Sequence, residues 1–157
     1  MSCSRYSPTI LGGFFRVGFI GVGKMGLPMI KNVLAKKVVG EVHLYDAIRV
    51  NTERLSHTEG SVPVKVAQSV AEVAKHTDVI ITMLPTPESV QEVCDTVFQH
   101  AEKKSLVVDC STISPFLSKQ LAEKALVHDM SFVDSPVSGG VAGATAGITP
   151  HSINTTS

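Results

Sequence analysis

A short glycine-rich string near the start of the chain is the clearest candidate for chemistry. Gly21-Val22-Gly23-Lys24-Met25-Gly26 has the spacing GxGxxG, directly after one apolar run and directly before an amphipathic one. Gly21 allows a tight turn, Gly23 lets the backbone approach a phosphate closely, and Gly26 lets a helix pack against a strand. Since the N–H groups at the start of that helix attract negative charge, the string predicts a pyrophosphate site.

An acidic residue follows at the sequence spacing expected for the residue that binds the adenosine ribose. Asp46 ends the second apolar run, about 20 residues beyond the glycine string. A carboxylate there accepts hydrogen bonds from a ribose 2′-hydroxyl and repels a 2′-phosphate, so we predict a dinucleotide site that prefers NAD to NADP. Arg49 is close enough in sequence to weaken that preference. The alternative is a turn aspartate beside a solvated arginine.

The elements that must position these residues alternate along the chain. Short apolar runs typical of strands occur at 17–20, 41–45, 62–66, 78–84, 106–109 and 131–133. Between them, helical spacing of apolar residues predicts helices at 25–37, 48–57, 69–75, 88–103 and 114–127. Ser69 and Glu72 have capping-box spacing, and Pro115 stands in a first turn. This alternation predicts an α/β fold, a Rossmann-type doubly wound parallel sheet.

Four segments resemble, in the same order, segments of the β-hydroxyacid dehydrogenases. They are residues 19–29 with Asn32 beyond, Ile80-Ile81-Thr82-Met83-Leu84-Pro85, Asp109-Cys110-Ser111-Thr112-Ile113-Ser114-Pro115, and Asp134-Ser135-Pro136-Val137-Ser138-Gly139-Gly140-Val141. The resemblance extends over roughly residues 17–147, and four ordered motifs are far more specific than one. It implies NAD-dependent oxidation of a small 3-hydroxy acid, as in valine breakdown, and a mitochondrial location in eukaryotes.

The resemblance also implies cofactor contacts beyond the glycine string. Leu84 and Pro85 stand at a strand end, where the family lines its cofactor, although a strand followed by a proline stop has the same sequence. Ser89 takes the place of an asparagine that often touches the cofactor, and it can replace that residue only in part. Thr112 offers a hydroxyl to the nicotinamide ribose or carboxamide. Its alternative role is to cap the next helix, for which Ser114 is the better candidate.

A second loop is implied to bind the substrate. Ser138, Gly139 and Gly140 offer a hydroxyl and adjacent N–H groups, a nest suited to a carboxylate, and the alternative is a flexible loop. The family's catalytic lysine lies beyond the last motif, and no lysine of this sequence corresponds to it. Lys119 and Lys124 are interpreted as solvated charges on a helix. We therefore assign no catalytic residue.

Composition excludes several other classes of protein. Of 157 residues, 43% are hydrophobic and 18% charged, and 14 Lys and Arg balance 14 Asp and Glu. Aromatic residues make up only 5%, so the core is expected to be aliphatic. The balanced charge, with no stripe of basic and aromatic residues, predicts no nucleic-acid partner. The longest apolar stretch contains Arg16 and is too short to cross a membrane. Cys3, Cys94 and Cys110 lack metal-ligand spacing, so no metal site is predicted.

The domain organisation predicted is a single nucleotide-binding unit with two dissimilar ends. Residues 1–40 contain six basic residues and no acid, so residues 1–15, with Arg5 and several serines, are interpreted as a mitochondrial transit segment or else as a frayed, disordered tail. Residues 16–147 form the NAD-binding domain. Residues 148–157 are polar, diverge from the family and are expected to be disordered. From the resemblance we expect the family's second, all-helical domain to be absent.

Three interpretations of function stay open. The first is a truncated NAD-dependent 3-hydroxyacid dehydrogenase whose substrate is a small 3-hydroxy acid. The second is an NAD-binding module without turnover. The third is a sibling activity, such as a semialdehyde or glyoxylate reductase. Full-length members of the family are expected to be homo-oligomers.

Overall fold

The computed structural model describes residues 15–56 and 62–148, and strands and helices alternate throughout this part of the chain. The strands are β1 (Arg16–Ile20), β2 (Glu41–Tyr45), β3 (Val64–Val66), β4 (Val79–Thr82), β5 (Leu106–Asp109) and β6 (Ser131–Asp134). The helices are α1 (Gly26–Lys36), α2 (Val50–Ser56), α3 (Val70–His76), α4 (Pro87–His100), α5 (Pro115–Val127) and α6 (Gly140–Ala146). Apart from Phe15 and Ile148, the two predicted tails, residues 1–15 and 148–157, lie outside the described residues.

All six strands form one parallel sheet in the order β3-β2-β1-β4-β5-β6. Val17 of β1 stands opposite Val42 of β2 on one side and Val79 of β4 on the other. The prediction of a doubly wound parallel sheet is confirmed. After β1, the chain adds β2 and β3 on one side of it, then crosses over and adds β4, β5 and β6 on its other side. In such sheets, ligands bind at the carboxyl ends of the strands where the strand order reverses.

Each face of the sheet has its own apolar core, because side chains alternate along a strand. On one face, strand residues pack with α1 and α2; they include Val17, Phe19, Val42, Leu44, Ile30 and Leu55. On the other face, strand residues pack with α3, α4 and α5; they include Ile80, Val107, Phe132, Val73, Val97 and Leu121. These cores fix the strand ends, and the strand ends position the loops of the site.

The structure differs from the sequence prediction mainly at α6. Residues 140–146 are rich in Gly and Ala, so they have no apolar period, and no side chain caps the helix. The predicted cap of α3 is present in part. Ser69 Oγ accepts the Glu72 N–H (3.1 Å), but the Glu72 carboxylate accepts the N–H of Gln68, not that of Ser69.

None of the helices in the described ranges combines the length and the apolar character needed to cross a bilayer. Across the same ranges, no three His, Cys, Asp or Glu side chains are grouped so that they would hold a metal ion.

Candidate functional site

The glycine string connects β1 to α1 and leaves open space at one position. Gly21 has a φ of +96°, and a Cβ on it would overlap the Met83 carbonyl oxygen. A Cβ on Gly26 would overlap the Gly21 carbonyl oxygen, so α1 can pack this closely on the loop only with glycine there. A Cβ on Gly23 would meet no atom within 4 Å. The backbone of Gly23 can therefore be approached closely by a ligand above the loop.

Helix α1 presents its N-terminus to this space without a capping side chain. Met25 at the N-cap makes no side-chain cap hydrogen bond, and the first turn contains no acidic residue. The N–H of Leu27 donates to the Gly23 carbonyl oxygen (3.0 Å) and Pro28 has no N–H, so this end attracts an anion through the helix dipole and through the backbone that precedes Leu27. A pyrophosphate fits this end of α1 in charge and in hydrogen bonding.

Asp46, directly after β2, joins the glycine string to the start of α2. Its Oδ2 accepts the N–H of Val22 (2.7 Å), inside the string. Its Oδ1 accepts the N–H of Ile48 (2.7 Å) and a side-chain N–H of Asn51 (3.1 Å). A carboxylate has about four lone-pair sites, so Asp46 keeps capacity for one more donor such as a ribose hydroxyl. Asp46 therefore holds the loop in shape as well as supplying charge.

These groups line one cavity of about 560 Å³ at the carboxyl ends of β1, β2 and β4. All the predicted cofactor residues except Thr112 lie along it, namely Gly21, Gly23, Lys24, Met25, Gly26, Asp46, Leu84, Pro85 and Ser89. A volume of this size is typical of sites for small molecules and cofactors.

Part of the cavity wall was not predicted from the sequence. Val70 of α3, Val93 and Thr96 of α4, and Tyr45 of β2 also line it. They make one side largely apolar, and a flat aromatic base fits such a side. No local motif marks these residues, because only the packing of α3 against α4 brings them together.

The loop after β5 lies beside the cavity and is tied to the loop after β4. Ser111 Oγ accepts the N–H of Leu84 (2.9 Å). Thr112 is exposed and does not line the cavity. Ser114 Oγ accepts the N–H of Leu117 (3.2 Å), so Ser114 and not Thr112 caps α5. The Thr112 hydroxyl is therefore not engaged as a helix cap.

The predicted substrate loop leads into α6 and lies outside the cavity. Ser138, Gly139 and Gly140 are exposed, and both glycines have positive φ, +96° and +59°. The amide of Asn32 on α1 donates to the carbonyl oxygen of Ala144 on α6 (2.7 Å). The helix that carries the glycine string thus also holds the helix that follows the substrate loop.

Comparison with known proteins identifies the kind of domain. The family model described as the NAD binding domain of 6-phosphogluconate dehydrogenase matches residues 16–150. The mitochondrial 3-hydroxyisobutyrate dehydrogenases of Bos taurus and Mus musculus are 41% and 40% identical to the chain over 83% of its length. The chain belongs to the β-hydroxyacid dehydrogenase family. Within that family it matches the N-terminal, NAD(P)-binding domain.

A solved member of the β-hydroxyacid dehydrogenases has the same architecture. The Mycobacterium tuberculosis 3-hydroxyisobutyrate dehydrogenase, determined with L-serine, superposes with a TM-score of 0.81 at 33% identity. The superposition covers 90% of this chain and 46% of that one. The chain likewise spans 38% of the length of its Bos taurus and Mus musculus relatives.

Ser89 is a position where this chain departs from the family pattern. Its hydroxyl donates to the carbonyl oxygen of Thr86 (2.7 Å) and accepts the N–H of Thr86 (3.2 Å). The Thr86 hydroxyl in turn accepts the N–H of Ser89, which completes a capping box at the start of α4. Because the Ser89 hydroxyl proton is used within the cap, Ser89 offers a ligand only an oxygen acceptor.

Three lysines, Lys24, Lys119 and Lys124, lie either at the cavity or on the surface of α5. Lys24 lines the cavity at the glycine string, whereas Lys119 is exposed on α5. Lys124, also on α5, pairs with Asp95 of α4 (2.9 Å). Within residues 15–56 and 62–148, Lys24 is thus the lysine that reaches the cavity.

Proposed function

We propose that this domain binds NAD(H) in preference to NADP(H) and belongs to a 3-hydroxyisobutyrate dehydrogenase of valine breakdown. The observation that supports the preference most directly is Asp46, whose carboxylate is held by the glycine string itself. A 2′-phosphate beside this carboxylate would meet a like charge, and a 2′-hydroxyl would find an acceptor. Residues 16–147 are the nucleotide-binding unit in this proposal.

The residues that are present fit the dinucleotide. Gly23 leaves the space that a pyrophosphate needs, α1 directs the positive end of its dipole to it with no acidic residue in the first turn, and the apolar wall suits an adenine. When bound, NAD supplies the hydride acceptor for oxidation of an alcohol. The chain contributes the phosphate cradle, the ribose acceptor Asp46, and the loops after β4 and β5 that orient the second half of the dinucleotide.

Replacing Asp46 with Asn tests the cofactor preference. For the natural chain we expect NADH to bind at least about tenfold more tightly than NADPH. In Asp46→Asn the repulsion of a 2′-phosphate is removed, so the ratio of the NADPH to the NADH dissociation constant should fall to about twofold or less. The amide nitrogen cannot accept one of the N–H groups of Val22 and Ile48, so both affinities should fall as well, and the ratio is the quantity that tests the preference. Isothermal titration calorimetry with each nucleotide measures both affinities.

The matched control for this variant is Asp95→Asn. Asp95 is an aspartate of α4 outside the cavity, so its substitution should leave the NADH/NADPH ratio unchanged. Equal affinities for the two nucleotides in the natural chain would contradict the preference for NAD. Arg49, which is exposed and pairs only distantly with Glu53 (3.6 Å), is the residue to replace next in that event.

The substrate that we propose is a small acid with a 3-hydroxyl group. Oxidation of 3-hydroxyisobutyrate to methylmalonate semialdehyde is the proposed reaction of the whole protein, and Ser138, Gly139 and Gly140 are the proposed carboxylate contacts. L-Serine, which was present with the solved relative, has the same arrangement of carboxylate and 3-hydroxyl. A mitochondrial matrix location and a homo-oligomeric whole protein are parts of the same proposal.

The 157 residues on their own are expected to bind NADH without oxidising 3-hydroxyisobutyrate. A group must take the hydroxyl proton as hydride leaves, and Lys119 and Lys124 on α5 lie away from the cavity. Absorbance of NADH, with NAD and either 3-hydroxyisobutyrate or L-serine, measures turnover directly. Binding with no turnover supports a nucleotide-binding domain that needs further residues.

Turnover above the uncatalysed rate would contradict this expectation. It would mean that a group other than Lys119 or Lys124 takes the hydroxyl proton.

A further inference from the structure

A row of buried polar side chains crosses the sheet beside the cavity. Thr82, Asp109 and Asp134 are the last residues of β4, β5 and β6, and they stand opposite one another in register. Thr82 and Asp109 are fully buried, and Asp134 is 6% exposed. Residues in register on parallel strands point to the same face, and strands are about 4.8 Å apart, so the two carboxyl groups are neighbours. Burial of such groups is costly unless they are hydrogen-bonded.

Asp109 connects the loops after β4 and β5. Its Oδ1 accepts the hydroxyl protons of Thr82 (2.7 Å) and Ser111 (2.7 Å) and the N–H of Ser111 (3.2 Å). Ser111 Oγ accepts in turn the N–H of Leu84, which lines the cavity. A continuous path of hydrogen bonds thus runs from Asp109 through Ser111 to the cavity wall.

The second oxygen of Asp109 has a different environment. Oδ2 is buried and accepts no hydrogen bond, and within the described ranges Asp109 forms no ion pair. Burial raises the pKa of Asp109, hydrogen bonds from Ser111 and Thr82 oppose that rise, and the charge of Asp134 adds to it. A negative charge on Asp109 would face another carboxyl group, and no cation among the described residues pairs with it.

Asp134 on β6 and Cys94 on α4 are the titratable groups that interact with Asp109, together with its neighbour Cys110. Burial, and then the charge of Asp109, raise the pKa of Cys94, and they raise the pKa of Cys110 to about 12. Both thiols therefore stay neutral at physiological pH, and neither compensates a charge on Asp109.

We propose that Asp109 is a positioning residue of the nucleotide site, which as a neutral carboxyl group protonated on Oδ2 holds together the loops after β4 and β5. This inference rests on the proposed binding of NAD(H). Asp46 lies on the β2 side of β1, so a dinucleotide with its pyrophosphate at the glycine string directs its nicotinamide half toward β4 and β5. Asp109 thus acts on the nicotinamide half through Leu84 and Ser111.

If the Asp109 carboxyl group is neutral, the free energy of unfolding must depend on pH in a definite direction. A carboxyl group whose pKa is raised by folding binds its proton more tightly in the native state than in the unfolded state. Its contribution to stability is complete below the ordinary pKa of an aspartate and is lost as pH rises toward the raised pKa. Asp109→Asn, which has the shape of the neutral acid and cannot ionise, should remove that loss.

The test compares three variants for binding and for thermal unfolding between about pH 5 and 9. Asp109→Asn should bind NADH within about twofold of the natural chain and lose less stability as pH rises. Asp109→Leu, which has no acceptor, should weaken NADH by about tenfold and ADP by less than about twofold. Asp129→Asn is the control, because Asp129 is exposed and has a positive φ that asparagine also adopts.

Other results would overturn the inference. If Asp109→Asn loses as much NADH affinity as Asp109→Leu, the charged carboxylate is what the site requires. If Asp109→Leu weakens NADH and ADP equally, or neither, Asp109 does not position the nicotinamide half. Should Asp109→Leu fail to fold, Ser111→Ala breaks the same path, and its expected loss is again confined to NADH.

Failure of the proposed function gives a separate signature. A natural chain that binds neither NADH nor ADP contradicts the proposed cofactor. The protonation of Asp109 is still decided in that case, because the comparison of unfolding temperatures between Asp109→Asn and Asp129→Asn needs no ligand.

Discussion

A Gly23→Val chain should fold as the natural chain does and bind NADH about a hundredfold more weakly, or not measurably. A Cβ at this position would meet no atom within 4 Å beyond its chain neighbours, so we expect the folded state to accept a side chain there. That same room is where a pyrophosphate would approach the backbone above α1. The branched side chain therefore displaces the ligand and leaves the protein core untouched.

Two measurements on this variant separate binding from stability. Calorimetry with NADH reports the loss of affinity, and urea unfolding should give a free energy within about 1 kcal/mol of the natural value. Gln99→Val serves as the control, since Gln99 is exposed on α4 and does not line the cavity. Unchanged NADH affinity in Gly23→Val would mean that the dinucleotide phosphates lie elsewhere than above the glycine string.

The fold could be predicted because its signals are local and repeated. The apolar runs that ended at Ile20, Tyr45 and Asp109 became buried strands, and the amphipathic segments between them became the covering helices. Hydrophobic alternation specifies the type of element, and the alternation of element types then specifies a parallel sheet. Helix α6 could not be predicted in this way, because its Gly and Ala residues carry no amphipathic pattern.

The candidate site could be predicted only where a chain segment carries its own chemistry. The glycine string and Asp46 act through backbone shape and one carboxylate, and both are visible as spacing. The apolar wall formed by Val70 and Val93 depends on packing between two helices, which a single sequence does not display. Their roles in binding stay predictions until affinities are measured.

The role inferred for Asp109 also could not be predicted from the sequence alone. The sequence places Asp109, Ser111 and Thr112 in one motif, but it does not say which of them faces the core. Strand register decides this for Asp109, which it places beside Thr82 and Asp134, whereas Thr112 lies in the loop after β5 and is exposed. The motif, in which only Thr112 is predicted to contact the cofactor, thus contains a buried aspartate, a serine that bonds to the cavity wall and an exposed threonine.

Gly26→Ala is expected to destabilise the fold by roughly 3 kcal/mol, the largest effect on stability among these substitutions. Its added Cβ would overlap the carbonyl oxygen of Gly21 and lie 3.0 Å from the carbonyl carbon. These are backbone atoms, so no side-chain rotation relieves the overlap, and α1 must move away from β1. Alanine also favours helix by about 1 kcal/mol over glycine, and the overlap must exceed that gain.

The comparison that isolates this overlap is Gly23→Ala. Both substitutions reduce the conformational entropy of the unfolded chain to a similar extent, so the difference between their unfolding free energies reports the native state alone. Gly23→Ala should be neutral or slightly stabilising in urea unfolding, while Gly26→Ala should unfold at clearly lower urea. Equal midpoints would contradict the close packing of α1 on the Gly21 carbonyl, and with it the geometry that aims the α1 N-terminus at the cavity.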